Sequence, residues 1–302
     1  MITIFAIPKA FQGHIEIIQR NAIQSWTLLR PRPRLILFGN DEGTKGVAEE
    51  FNIEHVPSVA CSEYGTPIIQ DVFKQARQLS NTPLLCYINS DIILMSDFLD
   101  SIKVASESMK QFLLCGRRWN LDIVRPLDFS EGWEDHLKQQ IKLSGTLEEA
   151  WAIDYFVYSS QVGNDMPPFI IGRAGWDNWF LYSVRAKGIP LIDATTSIQV
   201  VHQNHDYRHV PAGSGKSYAG PETDINLRLS GNLASEFSIK DATHELYSGK
   251  LKRTLNKDAL VRHLDMMPKL KPWTAPIVST LRFLLRITKP IRSNVAAGRN
   301  KS

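Results

Sequence analysis

Leu84-Leu85-Cys86-Tyr87-Ile88-Asn89-Ser90-Asp91-Ile92-Ile93-Leu94 is an apolar run interrupted once, at Asn-Ser-Asp. The run before the interruption reads as a strand buried on both faces. The polar triplet then falls at the carboxyl end of that strand. In open α/β sheets the ligand crevice lies just outside the carboxyl ends of the strands. A carboxylate at this point, Asp91, can hold a hard divalent cation, and the cation can hold a diphosphate. A turn, or a cap for the next helix, is the plainer use of such a triplet. The rest of the chain has to choose between the two.

Working outward, the preceding residues alternate strand and helix. Residues 2–7 read as a first strand closed by Pro8. Ile15, Ile18, Ala22, Trp26 and Leu29 have helical spacing, ended by Pro31 and Pro33. Leu35–Phe38 is an apolar run before Gly39-Asn40-Asp41. Residues 44–51 read as a short helix, 53–56 as a strand stopped by Pro57, and 68–79 as a helix with Ile69, Val72, Phe73 and Ala76 on one face. Alternation with short connections predicts an α/β fold with a doubly wound, mostly parallel sheet.

After Asp91 the pattern predicts a helix over 98–109, a strand over 112–116, a helix over 131–147 and a strand over 152–158. A helix over 176–187 ends at Gly188, and short strands follow at 191–193 and 197–201. Residues 206–224 read as a Gly/Ser/Pro-rich loop. The remainder reads as helical, with breaks at Pro268, Pro272, Pro276 and Pro290. The expected division is a body over 1–210 and a mobile loop with a helical basic extension over 211–302.

The 302 residues are 43% hydrophobic and 22% charged, the profile of a folded globular chain. Cys61, Cys86 and Cys115 are too few and too scattered for a disulfide framework, and no CxxC pair suggests zinc. Residues 1–7 lack the basic flank and cleavage site of a signal peptide, and no run of about 18 apolar residues spans a membrane. The expected location is cytoplasmic. Charge is unevenly spread: residues 251–302 carry 12 Lys/Arg against 2 Asp/Glu, the rest 23 against 29. A basic tail on a mildly acidic body suits an anionic surface. In 277–292, apolar Ile277, Val278, Leu281, Leu284, Leu285 and Ile291 interleave with Arg282, Arg286, Lys289 and Arg292. A basic amphipathic helix of this kind lies on the inner face of an anionic membrane; a helix packed on the body with a solvated basic face is the plain alternative. No nucleic-acid module accompanies the charge, so nucleic acid is not expected.

Two further clusters can carry chemistry. Gly172-Arg173-Ala174-Gly175-Trp176-Asp177-Asn178-Trp179 places an acid between tryptophans at a helix start. Rings beside a carboxylate suit carbohydrate; an N-terminal acid with core tryptophans reads the same residues structurally. His202-Gln203-Asn204-His205-Asp206-Tyr207-Arg208-His209 holds three of the chain's eight histidines and directly follows an apolar strand, as Asp91 does. Imidazole is a common metal ligand, which makes His202 and His205 candidates. Gly213-Ser214-Gly215-Lys216-Ser217 imitates a phosphate-binding P-loop, but the first glycine of that motif would fall on Val210 and no apolar strand leads in. An ATPase is excluded, while Lys216 can still serve as a diphosphate contact.

In this order the three clusters resemble the nucleotide-diphospho-sugar transferases of the GT-A fold (glycosyltransferase family 2-like). The resemblance covers roughly residues 1–210. It implies that Asp91 of Asn89-Ser90-Asp91, with His202 or His205, holds Mn²⁺ or Mg²⁺ against the donor diphosphate, with asparagine replacing the usual first acid. It implies Asp177 as general base of an inverting transfer, where a retaining member would use the same metal site without this base, and Arg173 or Lys216 as added positive charge. Pro8 and Lys9 would flank the nucleoside; Asn40 and Asp41 would meet the base, for example that of a UDP-sugar; Asn89 would meet metal or ribose. The acceptor would be a glycan, a lipid-linked sugar or a small molecule. A sugar-1-phosphate nucleotidyltransferase would want a Gly-rich loop after the first strand, where residues 8–14 supply one glycine. A non-catalytic nucleotide-sugar or carbohydrate-binding protein is the other alternative.

Overall fold

Phe5, Ile36, Leu85, Tyr87, Phe156 and Tyr158 alternate along their strands with Ile4, Leu35, Leu37, Cys86, Ile88 and Val157, and the two sets enter different apolar clusters. A period of two that is apolar on both faces requires cover on both faces. The computed structural model, which describes residues 1–205, 219–231 and 236–284, shows that arrangement.

The first half runs β1 (Ile2–Ala6), α1 (Gly13–Leu28), β2 (Arg34–Phe38), α2 (Thr44–Glu50), β3 (Glu54–Val56), α3 (Ile69–Leu79) and β4 (Leu84–Ile88). Each strand here pairs in parallel with its neighbour, β4-β1-β2-β3 in space. Ile69, Val72, Phe73 and Ala76 bury one face of α3, as their spacing predicts. The chain continues through β5 (Ile92–Ile93), α4 (Asp97–Ser108), β6 (Leu113–Cys115), β7 (Arg118–Leu121), α5 (Trp133–Ser144), β8 (Thr146–Leu147), β9 (Tyr155–Ser159), α6 (Trp176–Ala186), β10 (Leu191–Asp193) and β11 (Val200–Gln203). It ends in α7 (Pro221–Leu229), β12 (His244–Tyr247), β13 (Lys250–Arg253), α8 (Lys257–Leu270) and α9 (Ala275–Leu284).

Nine strands form the main sheet in the order β13-β12-β10-β6-β9-β4-β1-β2-β3. Seven run one way. The two exceptions are β13 at the edge and β9, which lies antiparallel between β4 and β6. A smaller sheet, β5-β11-β7-β8, stands beside it. Its apolar face, with Ile93, Leu121 and Val201, packs under Leu137 and Ile141 of α5. Trp26 of α1 donates its indole N–H to Ile92 O at 2.8 Å, and Ser25 Oγ accepts Leu94 N at 3.1 Å, so α1 anchors β5.

Several elements differ from the sequence pattern. β12 and β13 occupy residues expected to be helical and extend the same sheet, with β12 parallel to β10. The body therefore does not stop at residue 210; Phe237, Ile239 and Met266 belong to one of its main apolar clusters. Helix α7 starts at Pro221, inside the expected loop, and β8 takes the last two residues of the helix expected over 131–147. No described helix is long and apolar enough to cross a membrane. Lys216 and the second half of the 277–292 segment lie outside the described residues.

Candidate functional site

The strand β4 ends at Ile88, and the next three residues turn along the rim of the sheet. Ser90 donates its hydroxyl to Gln19 Oε1 at 2.8 Å. The same oxygen accepts Lys9 N at 2.7 Å, and Gln19 Nε2 donates to Lys9 O at 2.8 Å. Gln19 thus clamps the exit of β1, at Pro8-Lys9, to the exit of β4. The exit of β2 is drawn in by Phe11 N, which donates to Glu42 O at 2.8 Å, and by Gln12 Nε2, which donates to Glu42 Oε2 at 2.6 Å. Asn40 and Asp41 are exposed on that loop. Partial desolvation by the loop around it pushes the Asp41 carboxyl up.

Asp91 meets both predicted imidazoles. His205 Nε2 lies 3.1 Å and His202 Nε2 3.7 Å from Asp91 Oδ2, and one ligand atom from each of the three residues falls within 4.8 Å of the others. Strand β11 makes this possible. It runs antiparallel to β5, with His202 opposite Ile92, so its end returns to the residue where β4 stopped. Gln203, fully buried, locks the meeting. Its Nε2 donates to Ile18 O at 2.7 Å and to Asp91 O at 3.0 Å, and its Oε1 accepts Asn21 Nδ2 at 2.9 Å.

The chemistry of this donor set fits a divalent cation. Asp91 Oδ1 and His202 Nδ1 are buried without a hydrogen-bond partner, an arrangement expensive to leave unmatched. Burial alone would raise the Asp91 carboxyl, but His202, His205 and Lys9 together hold it well below the usual range. Burial lowers His202, outweighing the pull of Asp91. An ionised oxygen beside an imidazole that burial inclines to lose its proton is the kind of donor pair a metal takes.

Asn89 sits differently from its expected role. Its Nδ2 donates to Asp154 Oδ1 at 2.6 Å, its backbone N–H to Asp154 O at 2.9 Å, and its Oδ1 accepts the Tyr87 hydroxyl at 3.2 Å. The amide therefore braces Asp154. Asp154 is also paired with Arg118 at 2.5 Å, both side chains nearly buried. Arg118 Nε donates to Asn120 Oδ1 at 3.1 Å, and Asn120 Nδ2 donates to Glu148 Oε2 at 2.7 Å. This polar row lines the rim beside His202, because Asn120 is its register partner on β7.

Asp177 occupies the first turn of α6. Gly175 caps that helix at φ 110°, a left-handed backbone that favours glycine. Asp177 Oδ1 accepts Asn178 N at 2.9 Å. Burial pushes its carboxyl up to about 6 against the backbone hydrogen bonds, and the charge of Asp154 adds to the rise. Asp177 is thus tied electrostatically to the Asn89–Asp154 pair.

The tryptophans beside it are not a sugar platform. Trp176 is buried against Tyr87 and Phe156, with ring centroids 5.2 and 5.1 Å away. Trp179 packs on Phe169 at 5.4 Å. Arg173 is also committed elsewhere: its guanidinium binds Glu222 of α7 at 2.6 Å, and Glu222 accepts Ser62 and Thr66 hydroxyls as well. The structure therefore joins Asp91, His202, His205, Ser90 and Lys9 and places Asp177 near Asp154, while it gives Arg173 to a partly buried ion pair with Glu222.

Asp154, Arg118, Gln19 and Gln203 were not singled out from the sequence. Asp154 carried one usable signal, its place at the start of an aromatic strand. It would have been found had that strand been read as antiparallel, since the start of β9 shares a rim with the end of β4.

No family model matches the sequence, and no curated protein does. Among solved structures, S. aureus TarS 1–349 in complex with UDP-GlcNAc superposes with a TM-score of 0.50 at 11% identity, over 95% of this chain and 76% of that one. Glucosyl-3-phosphoglycerate synthase from Mycobacterium tuberculosis, solved with Mn²⁺, UDP and phosphoglyceric acid, gives a TM-score of 0.45 at 12% identity, over 76% of this chain and 78% of that one. The first of these likenesses, together with the sheet order, shows that the chain has the GT-A fold.

Proposed function

We propose that this protein is a metal-dependent glycosyltransferase that moves a sugar from a nucleoside-diphosphate sugar to an acceptor hydroxyl with inversion. The observation that carries the reading is the convergence of Asp91, His202 and His205 at the carboxyl end of β4, in a chain with the GT-A fold. Asp91 Oδ and the two imidazole nitrogens would hold Mn²⁺ or Mg²⁺. Bound there, the ion supplies Lewis-acid charge to the donor diphosphate as it leaves.

The chain's own residues supply the rest. Lys9 adds a second positive group within charge range of Asp91. Asn40 and Asp41, on the β2 exit loop brought alongside by Glu42, face the nucleobase. Arg118, held by Asp154, is the guanidinium beside the cluster. Asp177 accepts the proton of the acceptor hydroxyl while that oxygen attacks the anomeric carbon and the carbon–diphosphate bond breaks. A carboxyl titrating at about 6 is a stronger base than an ordinary aspartate yet is ionised at neutral pH.

Donor hydrolysis with Mn²⁺ tests the reading. UDP-, GDP-, TDP- and CMP-sugars are first ranked by the thermal shift each produces. Turnover of the best donor should fall by at least about a hundredfold in Asp91→Ala. Equal rates in wild type and variant would remove the proposal.

A further inference from the structure

Among the described residues fourteen large hydrophobic side chains are exposed, and seven of them fall past residue 250. Four are concentrated in eleven residues. Trp273 is 69% exposed, Ile277 52%, Leu281 40% and Phe283 83%.

Trp273 lies in the turn over Pro272–Thr274, and the helix that carries the other three is fixed. Helix α8 docks on the body through Ala259 and Met266, and its Arg262 donates to Asp241 at 2.8 Å from both Nε and Nη2. Val278 of α9 is buried at 4% exposure, and Arg282 of α9 pairs with Asp265 of α8. One face of α9 is therefore spent on the protein. Ile277 and Leu281, four residues apart on α9, lie side by side next to that face; Trp273 is exposed in the turn just before them, and Phe283 extends the apolar surface around the helix. A contiguous exposed apolar surface on a fixed helix marks an interaction site.

The charge around this strip narrows the partner. Lys271 is exposed at its start. Past Leu284 the sequence adds Arg286, Lys289, Arg292, Arg299 and Lys301 without one acidic residue. Nucleic acid would use the cations but leave Ile277, Leu281 and Phe283 in water. An apolar protein groove would take the side chains but has no use for an uninterrupted cationic run. Shallow apolar insertion beneath a layer of bound anions satisfies both.

We propose that α9 and the turn before it seat this protein on an anionic lipid bilayer, with Trp273, Ile277, Leu281 and Phe283 entering the headgroup boundary. This inference is independent of the glycosyl-transfer reading. It requires lipid phosphate as the anion source, not soluble phosphate.

Co-sedimentation of the full chain tests it. Vesicles of phosphatidylcholine alone are compared with an equal mixture of phosphatidylcholine and phosphatidylglycerol. Binding should be at least about tenfold stronger on the mixture and should fall with added salt, each basic residue near the surface contributing about fivefold. Ile277→Ser/Leu281→Ser/Phe283→Ser should lose at least about tenfold of that binding. Far-UV circular dichroism checks that the variant is folded. Arg286→Gln/Lys289→Gln/Arg292→Gln, which keeps the exposed apolar side chains, should also lose binding to the mixture. Four results would overturn the proposal: no sedimentation with either vesicle, equal binding to both, competition by inorganic phosphate as effective as by lipid, or a dimer that the triple serine variant converts to monomer. The last would assign the strip to a second copy of the chain.

Discussion

Asn89 Nδ2 lies 2.6 Å from Asp154 Oδ1, which makes the asparagine a donor to a carboxylate and not a substitute for one. Restoring an acid at this position should therefore harm the protein. Asn89→Asp sets two carboxylates against each other in a nearly buried place, and should lower stability at pH 7 by roughly 2–4 kcal/mol. Like-charge repulsion raises one of the two carboxyls, so the loss should shrink as pH falls and that group takes a proton. Adding Asp154→Asn to Asn89→Asp should recover part of the loss. Urea unfolding of the four members of the cycle at pH 5 and pH 8 measures the coupling; additive effects would show that the contact is energetically idle.

Asp177 should report itself in two ways. Its folded-state carboxyl is raised to about 6 from an ordinary 3.8, so its charged form is the less stable one in the fold. Stability is fully present below about pH 4 and is lost as pH rises through 6. Asp177→Asn removes that loss and should raise unfolding stability at pH 8 by on the order of 2 kcal/mol, while transfer falls by about 10²–10⁴-fold with donor affinity unchanged. Wild-type transfer should climb with pH through about 6 and level off. A flat profile between pH 5 and 7 would exclude this residue as the base.

Gln203 is the prediction with no reaction in it. Leucine of similar size at 203 removes the side-chain bonds to Ile18 O, Asp91 O and Asn21 Nδ2, leaving Asn21 Nδ2 its bond to Arg125 O at 3.2 Å. Gln203→Leu should cost about 2–4 kcal/mol and should also weaken cation binding, because the Asp91 backbone and β11 lose their shared anchor. Calorimetric Mn²⁺ titration alongside thermal unfolding separates the two. Cation affinity at the wild-type level in this variant would mean that the ligands are positioned by β11 pairing alone.

Mn²⁺ itself should stabilise the fold. A ligand at a hundred times its dissociation constant adds about 2.7 kcal/mol, readable as a rise in melting temperature. The rise should vanish in Asp91→Asn and be strongly reduced in His202→Ala and His205→Ala. Asp165→Asn, an exposed acid paired with Lys187 far from the cluster in sequence, should keep it. A shift that survives in Asp91→Asn would place the ion elsewhere.

The parallel half of the fold was legible because each of its elements speaks through its own residues. Leu84–Ile88 is continuously apolar, and α3 repeats its buried positions at helical spacing. The Asp91, His202 and His205 cluster was legible for a related reason: an apolar run leads into each polar segment, and strand ends share a rim, although His202 proves to be the third residue of β11 and not the one after it. What stayed hidden depends on direction and on partners far away. Nothing in Tyr155–Ser159 says that it runs backwards, so nothing in the sequence brings Asp154 to the rim where β4 ends. The hairpin at 244–253 is half exposed and lacks the apolar run that marks the inner strands, so its place in the sheet is set by β10. Trp176 beside Asp177 admitted two meanings, and only the ring cluster around Tyr87 chose the buried one.

The reversed strand at the centre of the sheet also makes the two ends of one segment unequal. Extra residues spliced between Glu148 and Asp154 would land over the polar row of Arg118 and Asn120 and remodel what enters the cleft. The same insert after Ser159 would hang from the opposite margin. Changes at the first end therefore bear on the surroundings of His202, through Arg118 and Asn120, and changes at the second do not.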